Sequence, residues 1–224
     1  MSEELSPRER RHQRTQQAIL QAARALLAEG GAEKLSIRAI ADRIDYSPAG
    51  LYEYFGSKEE IIGALAWEGH RTLRRYMARV PLSLAPADYL VELGMAYIQF
   101  AIQNPDYFLL IFTTGPLPPP PTDTVHREIE RVKDEAIKIV PSVEMMNEDS
   151  SFPLLVNGVQ RAVAQGVINY LSGLGALETS YAFWAIVHGA AMLRVSHLNY
   201  FNFDFDQADR LMLNAFVRGM GSQA

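Results

Sequence analysis

The chain has 224 residues, enough for one large or two small domains, and its 48% hydrophobic and 21% charged composition suits a folded protein with a real core. It contains no Cys, which excludes disulfides and thiolate metal sites, and no uninterrupted apolar run of the roughly 18 residues that a membrane span needs. A net charge of −5 excludes a generally basic nucleic-acid coat, so any contact with nucleic acid has to be local. The N-terminus is polar and basic with no apolar segment behind it, so no secretory signal is expected and a cytoplasmic setting is the default.

Local positive charge stands at the start. Residues 7–14, PRERRHQR, carry Arg8, Arg10, Arg11 and Arg14 against Glu9 alone. Such an arm can neutralise phosphates or reach a minor groove, or it can be a solvated leader. Ser6, Pro7 and Glu9 form a capping-box pattern with Pro at the first helical position, so the first helix begins within this basic segment. It runs to about Glu29, with Ile19, Ala22, Ala23, Leu26 and Leu27 as its core stripe, and Gly30-Gly31 stops it.

The most informative stretch follows, LSIRAIADRIDYSPAGLYEYFGSKEEI, residues 35–61. Ser36 is a good N-cap, with Leu35 and Ile40 placed as a hydrophobic staple, and Ile37, Ile40, Ala41 and Ile44 repeat at helical spacing. Asp45 stands where the chain leaves this helix and is a residue type that tolerates a left-handed backbone. Ser47 caps a second helix with Pro48 at its first position; this helix, expected from Pro48 to Phe55, is too short to stand alone and must be held by Leu51 and Phe55. Ser57 and Glu60 open a third as a capping box. Helix, tight turn, helix is the helix-turn-helix arrangement, whose second helix enters the DNA major groove.

The run S-I-R-A-I-A-D-R-I-x-x-S-P-A-G-L-Y-E-Y-F-x-S-K-E-E-I resembles the N-terminal domain of the tetracycline-repressor (TetR) family of transcription regulators. Two positions depart from the usual pattern: Asp45 where the family often has Gly, and Tyr46 where it often has Val. The resemblance implies an operator-binding homodimer that reads an inverted repeat, that is commonly a repressor, and that releases DNA when a small molecule binds its C-terminal domain. The DNA-facing candidates are Ser36, Arg38, Tyr46, Ser47, Pro48, Ala49, Gly50, Tyr52, Tyr54 and Lys58. Ala49 and Gly50 leave the front of the second helix bare for base edges, or serve helix packing. Tyr52 and Tyr54 lie two apart, so both cannot face the core; by the resemblance both face DNA, with phosphate contact as their work. Lys58 sits at a helix N-terminus, which favours anions. Ser36 and Ser47 are explained by capping alone but are placed to bond phosphates, and Arg38 is a phosphate or salt-bridge residue.

The fourth helix is expected over residues 58–79, acidic in its first turn and arginine-rich in its last. It links a DNA-binding domain, residues 1–57, to a second domain, residues 58–224. From Pro86 on only helices are signalled: 87–103, a short apolar one over 106–112, an amphipathic one over 123–140, then 152–171, 178–199 and 206–220. Four consecutive prolines at 118–121 forbid a helix there, and 141–151 is a polar, acidic loop. The fold class is therefore all-α, with an N-terminal helix-turn-helix domain and a C-terminal helical bundle. The helices over 152–171 and 178–199 are apolar around much of their circumference and are the expected dimer interface. Trp184 to Gly189, W-x-x-x-H-G, resembles a TetR subgroup marked by Trp-His-Gly.

Candidate lining for an apolar effector pocket comes from Met95, Tyr97, Phe100, Tyr107, Phe108, Phe112, Trp184, His188 and Met192, although such a stripe is more often plain core. His126 and Glu130, even with Asp123 nearby, lack a convincing third ligand and read as surface. No metal or other cofactor is expected. No Ser/His/Asp set, Gly-rich phosphate loop or Glu-x-x-His pair points to an enzyme. Two alternatives share these features: a DNA-binding regulator controlled by protein partners, and a helical-bundle small-molecule carrier.

Overall fold

The computed structural model describes residues 6–31, 33–113, 150–170, 174–198, 201 and 203–221. The expected proline-rich loop, the helix over 123–140 with Asp123, His126 and Glu130, and the acidic loop as far as Asp149 lie outside the described residues. Among the described residues every regular element is an α-helix, and there is no strand.

The chain divides into two compact units. The first takes the described residues up to Gly69 together with those from Asp106 to Thr113; the second takes His70–Pro105 and the described residues from Ser150 on. By packing, therefore, the beginning of the fourth helix and the short helix near Tyr107 go with the helix-turn-helix.

In the first unit, α1 spans Pro7–Gly30, α2 Ile37–Arg43 and α3 Pro48–Leu51, and α4, Lys58–Met77, begins here. The start of α1 is the expected reciprocal cap: Ser6 N–H donates to Glu9 Oε2 at 2.7 Å and Ser6 Oγ accepts from Glu9 N at 3.3 Å. The basic segment is consequently helical, and Arg8, Arg10, Arg11 and Arg14 are exposed side chains on its first turns, not an extended arm. The stripe Ile19, Ala22, Ala23, Leu26 and Leu27 is buried, as are Leu35, Ile40, Ala41, Leu51, Ile61 and Leu65 on the elements that follow. Burying apolar faces against one another stabilises helices of seven and four residues that could not persist alone. The helix α6, Pro105–Thr113, is tied to α1 by Arg24, whose Nε donates to Asp106 Oδ2 at 3.1 Å while its guanidinium lies 4.2 Å from the centre of the Tyr107 ring.

The second unit is built around α5, Pro86–Gln103, which packs against α7 (Phe152–Ala164), α8 (Ala176–Ser196) and α9 (Phe205–Gly219). The face of α5 carrying Tyr89, Leu90, Leu93, Tyr97, Phe100 and Ala101 is buried, as its helical spacing requires. Asn104 ends it, leaving helical geometry at φ −137° just before Pro105. The helix expected over 152–171 is shorter than that. It stops at Ala164, the chain turns through Gly166 at φ +67°, and Asn169 N–H donates to Met220 O at 2.7 Å. Ile168 beyond the turn is fully buried, so the apolar pattern continues although the helix does not. Arg161 anchors α7 by donating to the carbonyls of Leu82 and Leu84 at 2.8 and 2.7 Å, with its guanidinium 4.7 Å from the Tyr89 ring centre.

Candidate nucleic-acid interface

The turn between α2 and α3 is fixed by a short set of backbone and side-chain bonds. Ser36 Oγ accepts from Ala39 N at 3.1 Å and starts α2; Ile44 and Tyr46 N–H groups both return to Ala41 O, at 3.2 and 3.0 Å. Asp45 takes the left-handed conformation, φ 54°, which the sequence marked as its tolerance. Ser47 Oγ then accepts from Gly50 N at 3.0 Å and Pro48 occupies the first helical position. The second helix is shorter than the expected Pro48–Phe55: regular α-helix ends at Leu51, and Glu53 and Tyr54 N–H groups bond three residues back, to Gly50 and Leu51. Leu51 alone in α3 is fully buried and pins it to the core. At the next start, Ser57 Oγ accepts from Glu60 N at 3.1 Å, but the Glu60 carboxylate accepts from Gly56 N at 2.8 Å, one residue earlier than a standard capping box.

Ser36, Arg38, Tyr46, Ser47, Pro48, Ala49 and Tyr52 are exposed, and Gly50, Tyr54 and Lys58 are half-buried. Arg38 is paired only loosely with Asp42, at 4.0 Å and with both side chains largely in solvent, so its charge remains available for an external anion. Arg43, in contrast, is committed to the fold: its Nη2 reaches both oxygens of Glu29 at 2.8 and 3.0 Å, joining α2 to α1.

One member of this surface was missed in the sequence. His12, on the exposed side of α1, stacks on the ring of Tyr54 at 4.7 Å between centroids and 28° between planes. Tyr46 meets the same ring edge-on, at 6.1 Å and 74°, with the two hydroxyls 3.3 Å apart. That hydrogen bond raises the Tyr46 pKa. Together the surface offers hydroxyls, two backbone turns and several guanidinium groups on one small unit. Groups of these types can bind phosphate oxygens, and an exposed Ala such as Ala49 can meet a base edge.

Of the nine candidate pocket residues, Tyr107, Phe108 and Phe112 lie in the first unit and the other six in the second. Tyr97, Trp184 and His188 are brought together: Trp184 Nε1–H donates to Tyr97 Oη at 3.2 Å, and Tyr97 Oη lies 2.9 Å from His188 Nδ1. Burial lowers the His188 pKa, and with the neutral ring protonated at Nε2, Tyr97 donates to Nδ1. Burial likewise raises the Tyr97 pKa well above the ordinary phenol value, the Trp184 bond opposing it. Replacing Tyr97 with Phe removes both hydrogen bonds and is expected to cost about 1–3 kcal/mol in urea unfolding. A loss below about 0.5 kcal/mol would show the pair to be incidental. Met95 instead lines an open groove of about 620 Å³, with Tyr76, Glu92, Gln99, Asp206 and Arg210 among its walls. Phe100 is fully buried, edge-on to Tyr76 at 5.7 Å, and Met192 is half-exposed on α8. Tyr107 and Phe108 are buried in the first unit, Phe108 packing on Phe112 at 5.0 Å.

Among the described residues no group of three or more His, Cys, Asp or Glu is placed to hold a metal ion, and no helix is long and apolar enough to cross a membrane.

Comparison with known proteins agrees with the helix-turn-helix. A family model for bacterial regulatory proteins of the tetR family matches residues 19–65, and one for the tetracyclin repressor-like C-terminal domain matches residues 90–216. An HTH-type transcriptional regulator of Bacillus subtilis (strain 168), YobS, itself uncharacterized, is 29% identical over 94 residues, which span 42% of this chain and 49% of that relative. Among solved structures, a protein of unknown function from Rhodococcus sp. RHA1 has a TM-score of 0.70 at 21% identity, covering 92% of this chain and 95% of that one. The TetR family regulator PfmR from Thermus thermophilus has a TM-score of 0.60 at 19% identity, covering 91% and 99%. The ketosteroid transcriptional regulator KstR2 of Mycobacterium tuberculosis has a TM-score of 0.59 at 17% identity, covering 93% and 96%. With the C-terminal model spanning more than half of the sequence and the tetR-type helix-turn-helix in place before it, this chain belongs to the TetR family of DNA-binding transcription regulators.

Proposed function

We propose that the chain is a repressor that binds an inverted-repeat operator as a homodimer and is released by a small apolar or aromatic effector. The observation that carries the DNA reading is the exposed ridge of Ser47, Pro48, Ala49, Tyr52 and the half-buried Tyr54, held by the buried Leu51. One helix-turn-helix of this size buries too little surface for tight specific binding, and a two-fold pair with two half-sites supplies the rest.

The self-pairing face is best sought on α8 and α9. Within the chain α7 exposes Asn157, Gln160 and Ala164, whereas α8 exposes Tyr181, Ala185, Gly189 and Leu193, and α9 exposes Leu211 and Ala215 beside Asp206, Gln207, Arg210 and Arg218. Tyr181 and Leu211 are each more than 60% accessible, large apolar side chains of the kind that a partner covers. These exposures support the second of the two helices that the sequence favoured and add α9 beside it as a candidate face.

For the effector, support comes from the aromatic and polar groups of the second unit, and an apolar multi-ring molecule is the class to screen first, given the ketosteroid regulator among the similar folds. The coupling runs through α4, which begins in one unit and ends in the other; an effector favours release only by its differential affinity for the two states. A thermal-shift screen finds compounds bound to the native state. A hit is expected to lower operator affinity at least about tenfold, within the usual range of coupling energies. Equal affinities with and without saturating hits would remove the effector from the account.

Tyr54→Phe tests the phosphate contact. It is expected to weaken binding to all duplexes about equally, by roughly fivefold for one lost hydrogen bond. A loss confined to one sequence would mean that Tyr54 reads a base.

A further inference from the structure

Gly50 sits at the front of the recognition helix, and the space beside it is taken. A Cβ built there would lie 2.9 Å from Cε1 and 3.0 Å from Cδ1 of Tyr46, and 3.1 Å from Ser47 Oγ. Its missing side chain therefore seats the Tyr46 ring at the turn, where the usual family residue would have no ring to seat. The Tyr46 hydroxyl so placed is 3.3 Å from that of Tyr54, whose ring is held on its face by His12 and on its edge by Tyr46.

Each phenol has a single hydrogen, and of two hydroxyls in contact one donates and the other accepts. A phosphate oxygen only accepts. If Tyr46 donates to Tyr54, the one hydrogen of Tyr54 is left for phosphate; if Tyr54 donates to Tyr46, that hydrogen is spent. We infer that Tyr46 is a positioning residue for the DNA contact: seated on Gly50, it donates to Tyr54 Oη and directs the Tyr54 hydrogen outward to a backbone phosphate, while His12 fixes the ring plane. This rests on the reading of Tyr54 as a phosphate contact. It makes the departure at Tyr46 part of the DNA machinery through a second side chain, and it gives Gly50 a task other than baring the helix to base edges.

The test is a double-mutant cycle, with affinity for a mixed-sequence duplex measured at low salt by fluorescence anisotropy. Tyr46→Phe keeps the ring and its seat. It leaves the Tyr54 hydrogen available but no longer directed, so it is expected to lower affinity about two- to threefold when Tyr54 is present and to have no measurable effect in the Tyr54→Phe background. Equal losses in both backgrounds would mean that Tyr46 meets DNA by itself and would overturn the proposal. If Tyr54→Phe alone changes nothing while Tyr46→Phe still weakens binding, the phosphate reading of Tyr54 has failed and the positioning role goes with it. Gly50→Ala gives the second arm. It is expected to weaken binding in the natural chain and to have no further effect on Tyr46→Ala, where no ring needs the seat. A further loss in that background would show that the glycine serves the approach to DNA. Circular-dichroism melting of each variant confirms that the unit tested is folded.

Discussion

Leu51→Ala is expected to destabilise the N-terminal unit by about 3 kcal/mol, within the range for emptying a fully buried leucine site. Leu51 has no measurable exposure and is the one buried side chain of α3, which packs against α2. The remaining α3 positions are exposed or half-exposed. DNA binding should fall with the unit's stability. Native-state hydrogen exchange should show lost protection in residues of α1, α2 and α3, and protection in α5 should be kept. A change below about 1 kcal/mol, or uniform loss in both units, would mean that α3 is held by something other than this contact.

Arg194→Met is expected to destabilise the second unit by about 2–3 kcal/mol at neutral pH, near the lower end for removing one partner of a buried pair. Arg194 Nη1 donates to Asp209 Oδ2 at 2.6 Å with the two side chains only 15% and 11% exposed, and its Nη2 donates to the more open Asp206 at 2.8 Å. Burial raises the Asp209 pKa above the usual carboxylate value, and Arg194 opposes the rise. Without the guanidinium the rise is unopposed by this partner. The sign follows: the folded state of the variant holds the Asp209 proton more tightly than the unfolded chain does, so its stability falls as pH rises from the ordinary carboxylate range through that elevated pKa. The deficit should be greatest near pH 7 and shrink as Asp209 protonates in acid. Urea unfolding at several pH values reads this directly, and Arg194→Met with Asp209→Leu should recover much of the loss. A deficit independent of pH would show that the damage is lost packing and not a stranded carboxylate.

The helix-turn-helix was legible in the sequence because each of its devices is local. Ser36 and Ser47 cap, Pro48 fits a first turn, Asp45 tolerates the left-handed turn, and Leu51 falls on the inward face; the structure has all of these. What stayed hidden depends on contacts across the chain. His12 stands far from Tyr54 in the sequence and reaches it only because α1 continues through the basic segment. Gly50 reads as a bare front until the ring of Tyr46 is placed against it. The end of α7 was obscured for another reason: Val167 and Ile168 carry on the apolar pattern after Gly166 has ended the helix, and burial, not helical geometry, keeps Ile168 apolar. The candidate pocket was less legible, because a buried aromatic stripe has the same spacing whether it lines a cavity or fills a core; of its residues, Tyr97, Trp184 and His188 are joined by hydrogen bonds.

The central claim is that two copies of this chain place their α3 ridges on one duplex. The direct measurement is native mass spectrometry and binding isotherms with an inverted repeat from the DNA upstream of its own gene, beside the same duplex with one half-site scrambled. The expected result is two chains per duplex or a multiple of two, affinity that falls as salt rises, and a loss of about 100-fold or more on scrambling. One chain per duplex, or equal affinity for the intact and scrambled sites, would contradict it.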